Sequence, residues 1–571
     1  MDPSTCATHR GLLISEITGN IVGWLRATGR KKYLASLART CKAFQEESTP
    51  ALWEHLDSLS PLLQLLPPDA WSLLPDENVK FPFTITHPQN LDWTRFDHYA
   101  EYVRHFEWRG PQRTRWDIPG PRDISSKALS ALATYRPTGQ PLMPKLHTLF
   151  WEEHDPELAF HPNLFLPPTI LRLQLFSEVL NPSKVTPLLA EVGAACGNLT
   201  HLRMSVYDGK MPWTDADYDA FARILRGMPK LEALEGYSDL SVSCVEALAA
   251  LPKLATLELH TEDMNMDALA TSAVSGARAG QWFNALRCLR LGALYMDGNT
   301  TTFLAAIRSQ GLQELKFLIE YEPETHALKK RLRTLARSPY RHSLNIFDFF
   351  TTSPFQVDGA EVPLDLEHAL QPLYAFPHIR LLTIRSRSFL AGASRALHDI
   401  ANAWPELESL VLASYKKDPV EAVAGCITLE DLVQLTRRCP RLRDLQLHLN
   451  AEVVPDATTL ARLMPEPSQS PLGLGGCMVV HNAPIVDPGQ VADFLARLFP
   501  ALESVIYMGA DLYYEDGKSD PSTFLAKWWR VKRLLGEKNK ALKKAASGSS
   551  SSGRPSTAAV LQTPYLRASS W

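Results

Sequence analysis

The chain has 571 residues, 45% of them apolar, which exceeds what one hydrophobic core serves and points to several domains or one elongated repeat array. Lys+Arg number 59 against Asp+Glu 62, a formal net charge of -3, so the whole chain has no pull toward nucleic acid or anionic lipid. The 8 cysteines are dispersed without a CxxC pair, the N-terminus lacks a secretory pattern, and no apolar run reaches the roughly 18 residues of a membrane span, so reduced thiols and a cytoplasmic or nuclear home are expected.

Residues 10–57 read as a small helical unit. Leu13, Ile14, Ile17, Ile21 and Leu25 recur at helical spacing, and Leu34, Leu37, Ala38, Cys41 and Phe44 continue the pattern after the polar, Gly-containing break RATGRKK. Pro50 is expected to open a third short helix through Trp53, because a proline in a first turn sacrifices no intrahelical donor. Residues 58–92 are Pro-rich and read as a packed connector. Trp93, Phe96, Tyr99, Ala100 and Val103 then suggest a helix leading into the strand RHFEWRG.

From here to residue 510 a loose phrase, P-x-L-x-x-L-x-L, recurs. It appears as MPKLHTLFW, CGNLTHLRMSV, MPKLEALEG, LPKLATLELH, FNALRCLRLG and GLQELKFLIE, then as FPHIRLLTIRS, WPELESLVLA, CPRLRDLQLHL and FPALESVIYM. Its fourth position falls at Leu202, Leu234, Leu257, Leu289, Leu315, Leu382, Leu410, Leu445 and Val505, and degenerate copies are expected around SLNIFDFF and GGCMVVHN. The period matches leucine-rich repeats, in which each unit supplies a strand and a return helix. A single unit cannot bury its leucine row, and stacking builds a continuous core beside an open parallel sheet on the concave side. The return segments WTDADYDAFARILRGM and ITLEDLVQLTRRC carry helix starts, Thr214 before Asp217 and Thr428 before Asp431.

Residues 511–546 hold a basic amphipathic helix: Phe524, Trp528, Val531, Leu535 and Leu542 share one face, among many lysines and arginines. The tail, residues 547–571, lacks the apolar density that ordering requires. The predicted fold class is therefore α/β: three N-terminal helices, a leucine-rich-repeat solenoid with its parallel sheet on the concave face and helices outside, and a C-terminal basic helix.

With the helices placed, the N-terminal segment resembles an F-box, and the whole chain resembles the fungal F-box proteins that carry irregular leucine-rich repeats. The resemblance rests on Leu13-Ile14-Ser15-Glu16-Ile17, on Ile21 and Leu25, on LASLARTCKAF, and on Leu52-Trp53. Ser15 stands where the family commonly has proline, and Arg30, Lys31 and Lys32 where it often has an acidic residue. The resemblance implies that Leu13, Ile14, Ile17, Ile21, Leu25, Leu34, Leu37, Ala38, Cys41, Phe44 and Trp53 serve a Skp-type adaptor interface or the three-helix core beneath it. It further implies recruitment of a cullin through that adaptor, and a protein substrate held by the repeats. The alternative is that these helices only cap the first repeat or act outside a ligase.

On the open sheet face, alternation exposes His201, Arg203, Glu258, His260, Arg290, Glu314, Lys316, Arg385, Asp444 and His448 as candidate substrate contacts. Their mixed sign suits a protein partner better than a polyphosphate, although Arg203, Arg290 and Arg385 would accommodate a phosphate if they converged. His201, His260 and His448 sit in separate repeats and are not expected to share a metal. No HExxH, Gly-x-Ser-x-Gly, kinase set or phosphate loop is present, so neither catalytic residues nor a cofactor are expected, and homo-oligomerisation is not implied.

Overall fold

The computed structural model describes residues 14–29, 31–73, 83–87, 91–109, 124, 126–137, 139–153, 161–177, 182–206, 214–236, 240–261, 264–275, 282–357, 360–415, 426–456, 458–459, 477–481, 483–500, 502, 504–508 and 523–548. They fall into two compact units, one within Met1–Val362 and His368–Ile379, the other within Pro363–Glu367 and Arg380–Trp571. Each is built from strand and helix repeats on a parallel sheet.

The first unit opens with α1 (Ser15–Ala27), α2 (Lys31–Ala38) and α3 (Lys42–Trp53), which pack on one another. The break between α2 and α3 falls at residues 39–41, not at Pro50 as the sequence suggested. Thr40 Oγ1 donates to the Leu37 carbonyl at 2.7 Å and closes α2, while Cys41 is extended (φ -159°, ψ 168°) and starts α3. Pro50 lies inside α3, where its missing N–H removes one hydrogen bond without ending a helix held by its neighbours. The chain continues into β1 (His55–Leu56). The Pro-rich stretch carries the short helix Ser60–Leu63 and an antiparallel pair, β2 (Trp71–Leu73) with β3 (Phe83–Ile85). Leu59, Leu62, Leu63, Leu66 and Ala70 in that stretch are fully buried, so it is part of the core.

The sheet of this unit runs β1, β4 (His105–Arg109), β5 (Thr148–Glu153), β6 (Arg172–Ser177), β7 (His201–Val206), β8 (Ala233–Glu235), β9 (Thr256–His260), β10 (Cys288–Tyr295), β11 (Glu314–Tyr321) and β12 (Ile346–Ser353), all neighbours parallel. One ladder fixes it: Leu56, Phe106, Leu149, Leu173, Leu202, Leu234, Leu257, Leu289, Leu315 and Phe347 lie level across successive strands, and all are buried. Because strand side chains alternate, this register turns the ladder residues to one side and the residues between them, most of them polar, to the other. Between strands, helices such as Asp215–Arg226, Val242–Ala249, Met266–Ser275 and Gly298–Ala306 pack side by side and cover the leucine side. β13 (Gln356–Val357) and β14 (Ala360–Glu361) form a small antiparallel pair.

In the second unit the sheet runs β16 (Leu381–Ser386), β18 (Ser409–Ser414), β20 (Asp444–Leu447), β22 (Cys477–His481) and β23 (Ser504–Met508). Its ladder is Leu382, Leu410, Leu445, Met478 and Val505. Two short parallel pairs accompany it: β15 (Leu364–Asp365) with β17 (Leu390–Ala391), and β19 (Ile427–Thr428) with β21 (Leu449–Asn450). Reciprocal capping boxes stand at Thr214/Asp217 in the first unit and Thr428/Asp431 in the second, each backbone N–H meeting the other residue's side chain. The helix Phe524–Gly548 packs on β23 and on the helix Pro488–Leu498. It buries Trp528, Val531 and Leu535, and Trp528 Nε1 donates to the Ala483 carbonyl at 2.8 Å. Leu542 has its side chain outside the described residues, as does the 547–571 tail apart from the backbone of its first two residues.

Candidate interaction surfaces

Three surfaces gather the residues singled out by the sequence. The first is α1. Thr18 and Val22 are buried against α2 and α3, with Leu25 half-buried between them. Ile17, Ile21 and Trp24, at i, i+4 and i+7, run along another side. Ile14, Ile17 and Trp24 are 47%, 40% and 61% exposed, so α1 carries apolar residues on more of its girth than its own bundle uses. Leu34 is buried in the bundle; Leu37, Ala38 and Phe44 are half-buried; Cys41 is exposed; Leu13 lies outside the described residues. Trp53 faces the following repeat and meets the Tyr99 ring at 4.8 Å. The sequence reading omitted Trp24 and Tyr33, both exposed, although Trp24 continues the Ile17 and Ile21 spacing.

Where α3 enters the sheet, Glu54, His55 and His105 form a group with metal-ligand chemistry. The imidazoles stack with centroids 4.2 Å apart and planes 7° from parallel. Ring-nitrogen lone pairs lie in the ring planes, so stacked rings cannot both aim at one ion. Glu54 is engaged by Arg26 at 2.6 Å. Burial holds both histidines below the ordinary imidazole pKa, and the group is a neutral stacked pair tying β1 to β4.

The second surface is the open face of β7 to β12. Arg290 is its centre: its guanidinium lies 3.6 Å from Glu235, 3.7 Å from Glu258 and 3.8 Å from Glu314, and Lys316 meets Glu314 at 2.8 Å. Burial opposes the charge of Glu258, but a 3.4 Å contact with His260 Nε2 and the nearby His260, Arg290 and Arg203 charges hold its pKa below the ordinary carboxylate value. Glu314 is likewise depressed, against its burial, by Lys316, Cys288 and Arg290. Burial, with Glu314 beside it, pushes the Cys288 thiol up to about 12, which leaves it a weak nucleophile. Glu258 and His260 stand on the open side, as alternation requires, yet are 8% and 2% exposed because neighbouring strands close over them. Gly292 makes that possible: a Cβ there would sit 2.4 Å from His260 Nδ1. His201 and Arg203 are half-buried on β7, and the Arg203 guanidinium lies over the Phe176 ring at 5.1 Å. Arg290 is therefore matched by carboxylates within its own sheet and does not present a free cation.

The third surface is the open face of the second unit. Asp444 lies at the start of β20 with its side chain largely exposed, and partial loss of hydration beside the sheet raises its pKa against the opposing Arg443 charge. Arg385, His448 and His481 lie at the other end of their strands, with Tyr415 meeting His481 at 5.7 Å and Phe389 meeting His448 at 6.3 Å, both edge-on. His481 was not singled out in the sequence, since its repeat is degenerate. Burial, then the His448 and Arg385 charges, push its pKa down to about 4.

No protein family and no curated protein matches this chain. Among solved structures it is similar to the crystal structure of the Rad7 and Elc1 complex in yeast, at 12% identity and TM-score 0.35, over 70% of this chain and 87% of that one. It is also similar to the leucine-rich repeat-containing protein LegL7 from Legionella pneumophila, at 13% identity and TM-score 0.29, over 65% and 92%.

Proposed function

We propose that the chain is a non-catalytic substrate receptor of a Skp, cullin and F-box type ubiquitin ligase. In this reading residues 10–57 hold the adaptor, the leucine-rich repeats hold a protein substrate on their open face, and the basic C-terminal helix closes the last repeat. The observation that carries it is the outward apolar side of α1, where Ile14, Ile17 and Trp24 stay exposed although the bundle already has a core. Contiguous exposed apolar residues on a folded domain mark a surface that a partner covers. The F-box resemblance names that partner. Ligase action would be positional, raising the local concentration of a substrate lysine near activated ubiquitin carried elsewhere in the complex.

A second reading, an end cap on a protein-binding scaffold, is favoured by the Trp53 and Tyr99 contact and by β1 continuing α3 directly into the sheet. Capture of the full chain by purified Skp-type adaptor, followed by a cullin supershift, separates the two. Binding and cullin recruitment that a folded Ile17→Ala/Trp24→Ala variant loses support the receptor. Failure of the unaltered chain to bind leaves the cap.

A further inference from the structure

We infer that the open face of the second unit carries a binding site for a phosphoryl group, built on Arg385, His448 and His481. This is independent of adaptor docking. The register places the three together. Arg385 is level with Ala413 on the next strand. One residue past the registered pairs Leu412/Leu447 and Leu447/Val480, Ala413 comes level with His448 and His448 with His481. The row therefore reads Arg385, Ala413, His448, His481, with a small side chain where space is needed beside the guanidinium.

Two groups in this row lack what buried polar groups ordinarily have. His481 is 3% exposed, and its Nε2 is buried without a hydrogen-bond partner; Arg385 Nε is buried without one too. Leaving such a donor unsatisfied costs about 1–3 kcal/mol, more for a charged group, which a bound acceptor would recover. Among the described residues, Arg385 forms no ion pair, in contrast to Arg290 with its three carboxylates. Asp444 stands four residues before His448, about 13 Å back along the strand direction. Among the described residues, the Tyr415 ring meets His481, with the Arg387 guanidinium 5.9 Å over that ring, and from β23 the row meets Met508. Among the described residues, the groups that face the site are thus cationic or neutral.

The number of donors selects the ligand. One guanidinium offers a fixed pair of N–H groups, and two imidazoles each add a donor and can each take up a proton. That set suits a dianionic tetrahedral oxyanion better than a single carboxylate, which one arginine already matches.

The test uses the full chain, with thermal unfolding and calorimetric titration in inorganic phosphate or sulfate against chloride at equal ionic strength. Phosphate should raise the midpoint where chloride does not. Arg385→Gln should bind at least about tenfold more weakly, the loss of one charge-assisted pair. Sulfate, which keeps its charge across this range, should bind more tightly at pH 5.5 than at pH 7.5, with protons taken up. Carbon-13 labelled histidine signals of the unaltered protein should shift with phosphate, which decides the matter even where a variant folds poorly. A midpoint that phosphate does not move, histidine signals that ignore it, or equal binding by a folded Arg385→Gln protein would overturn the site. A phosphothreonine peptide, Ala-Ala-pThr-Ala-Ala, binding more tightly than inorganic phosphate assigns the phosphoryl group to a protein chain, and equal binding assigns it to small phosphates; the site stands in both.

Discussion

His260 and Gly292 are locked by distance: the imidazole lies against the neighbouring strand so closely that the smallest added side-chain atom would sit 2.4 Å from Nδ1. Gly292→Ala must therefore displace the ring and disturb its contact with Glu258. The expected loss is about 1–3 kcal/mol, as for overpacking in a closed core, read from the urea midpoint. Gly536→Ala is the control, since nothing lies within 4 Å of a Cβ there and helix propensity alone favours alanine by about 1 kcal/mol. Equal midpoints for Gly292→Ala and the parent would remove the argument.

Arg290 serves three glutamates at once, so removing it should cost more than an ordinary exposed ion pair. Arg290→Met leaves Glu235, Glu258 and Glu314 together without their shared cation. Because the guanidinium is about one-third exposed, solvent screens part of the effect, and about 1–2 kcal/mol is expected. The deficit should shrink at pH 4, where the glutamates of the variant take up protons, and in Arg290→Met/Glu258→Gln. A deficit that is the same at pH 4 and pH 7 would assign the loss to packing instead.

Stability should fall as pH drops from about 6.5. Burial lowers the pKa of His55, His105, His161, His201, His448 and His481, so the unfolded chain binds more protons than the folded one below the ordinary imidazole value. A lowered histidine pKa contributes stability above the unfolded value, and that contribution is lost as pH falls toward the folded value. For His481, at about 4 in the fold, the full loss is about 3 kcal/mol. Glu258 and Glu314, depressed by their partners, add to the decline as pH falls below the carboxylate range. Unfolding free energies at pH 7.5, 6.5, 5.5 and 4.5 check this; a flat profile from 6.5 to 5.5 contradicts it.

The ladder was readable because its requirement is local. A leucine at a fixed place in each repeat must face the core, and Leu202, Leu257 and Leu315 carry that requirement in their own neighbours. Leu173 went unmarked although Pro168-Thr169-Ile170-Leu171-Arg172-Leu173 fits the phrase, with Ile170 in the leading apolar place as Ile379 is in the copy that ends on Leu382. The α2 to α3 break escaped for a physical reason: helical spacing continues from Leu34 to Phe44 across a three-residue reset, and periodicity cannot register a turn that preserves it. Burial of Glu258 and His260 was not legible at all, since it depends on Arg290 and Gly292 one repeat later. The same holds for His481, whose companions Arg385 and His448 are brought beside it only by the register.

The apolar residues of the N-terminal helices should divide by which way they face. Trp53 is half-buried against Tyr99, and truncating a packed aromatic costs about 3–5 kcal/mol when fully buried. Trp53→Ala is accordingly expected to lose roughly half of that, with adaptor capture reduced only as far as the unfolded fraction requires. Ile17 and Trp24 are exposed, so Ile17→Ala/Trp24→Ala should move stability by less than about 0.5 kcal/mol. If they anchor the adaptor, the same pair should weaken capture by about thirtyfold or more, since a central aromatic anchor such as Trp24 contributes at least about 2 kcal/mol. Chemical denaturation and surface capture on the same preparations give both axes. Loss of stability in the Ile17 and Trp24 variant, with capture of the folded fraction unchanged, would mean that these residues complete the fold and that the adaptor engages the bundle elsewhere.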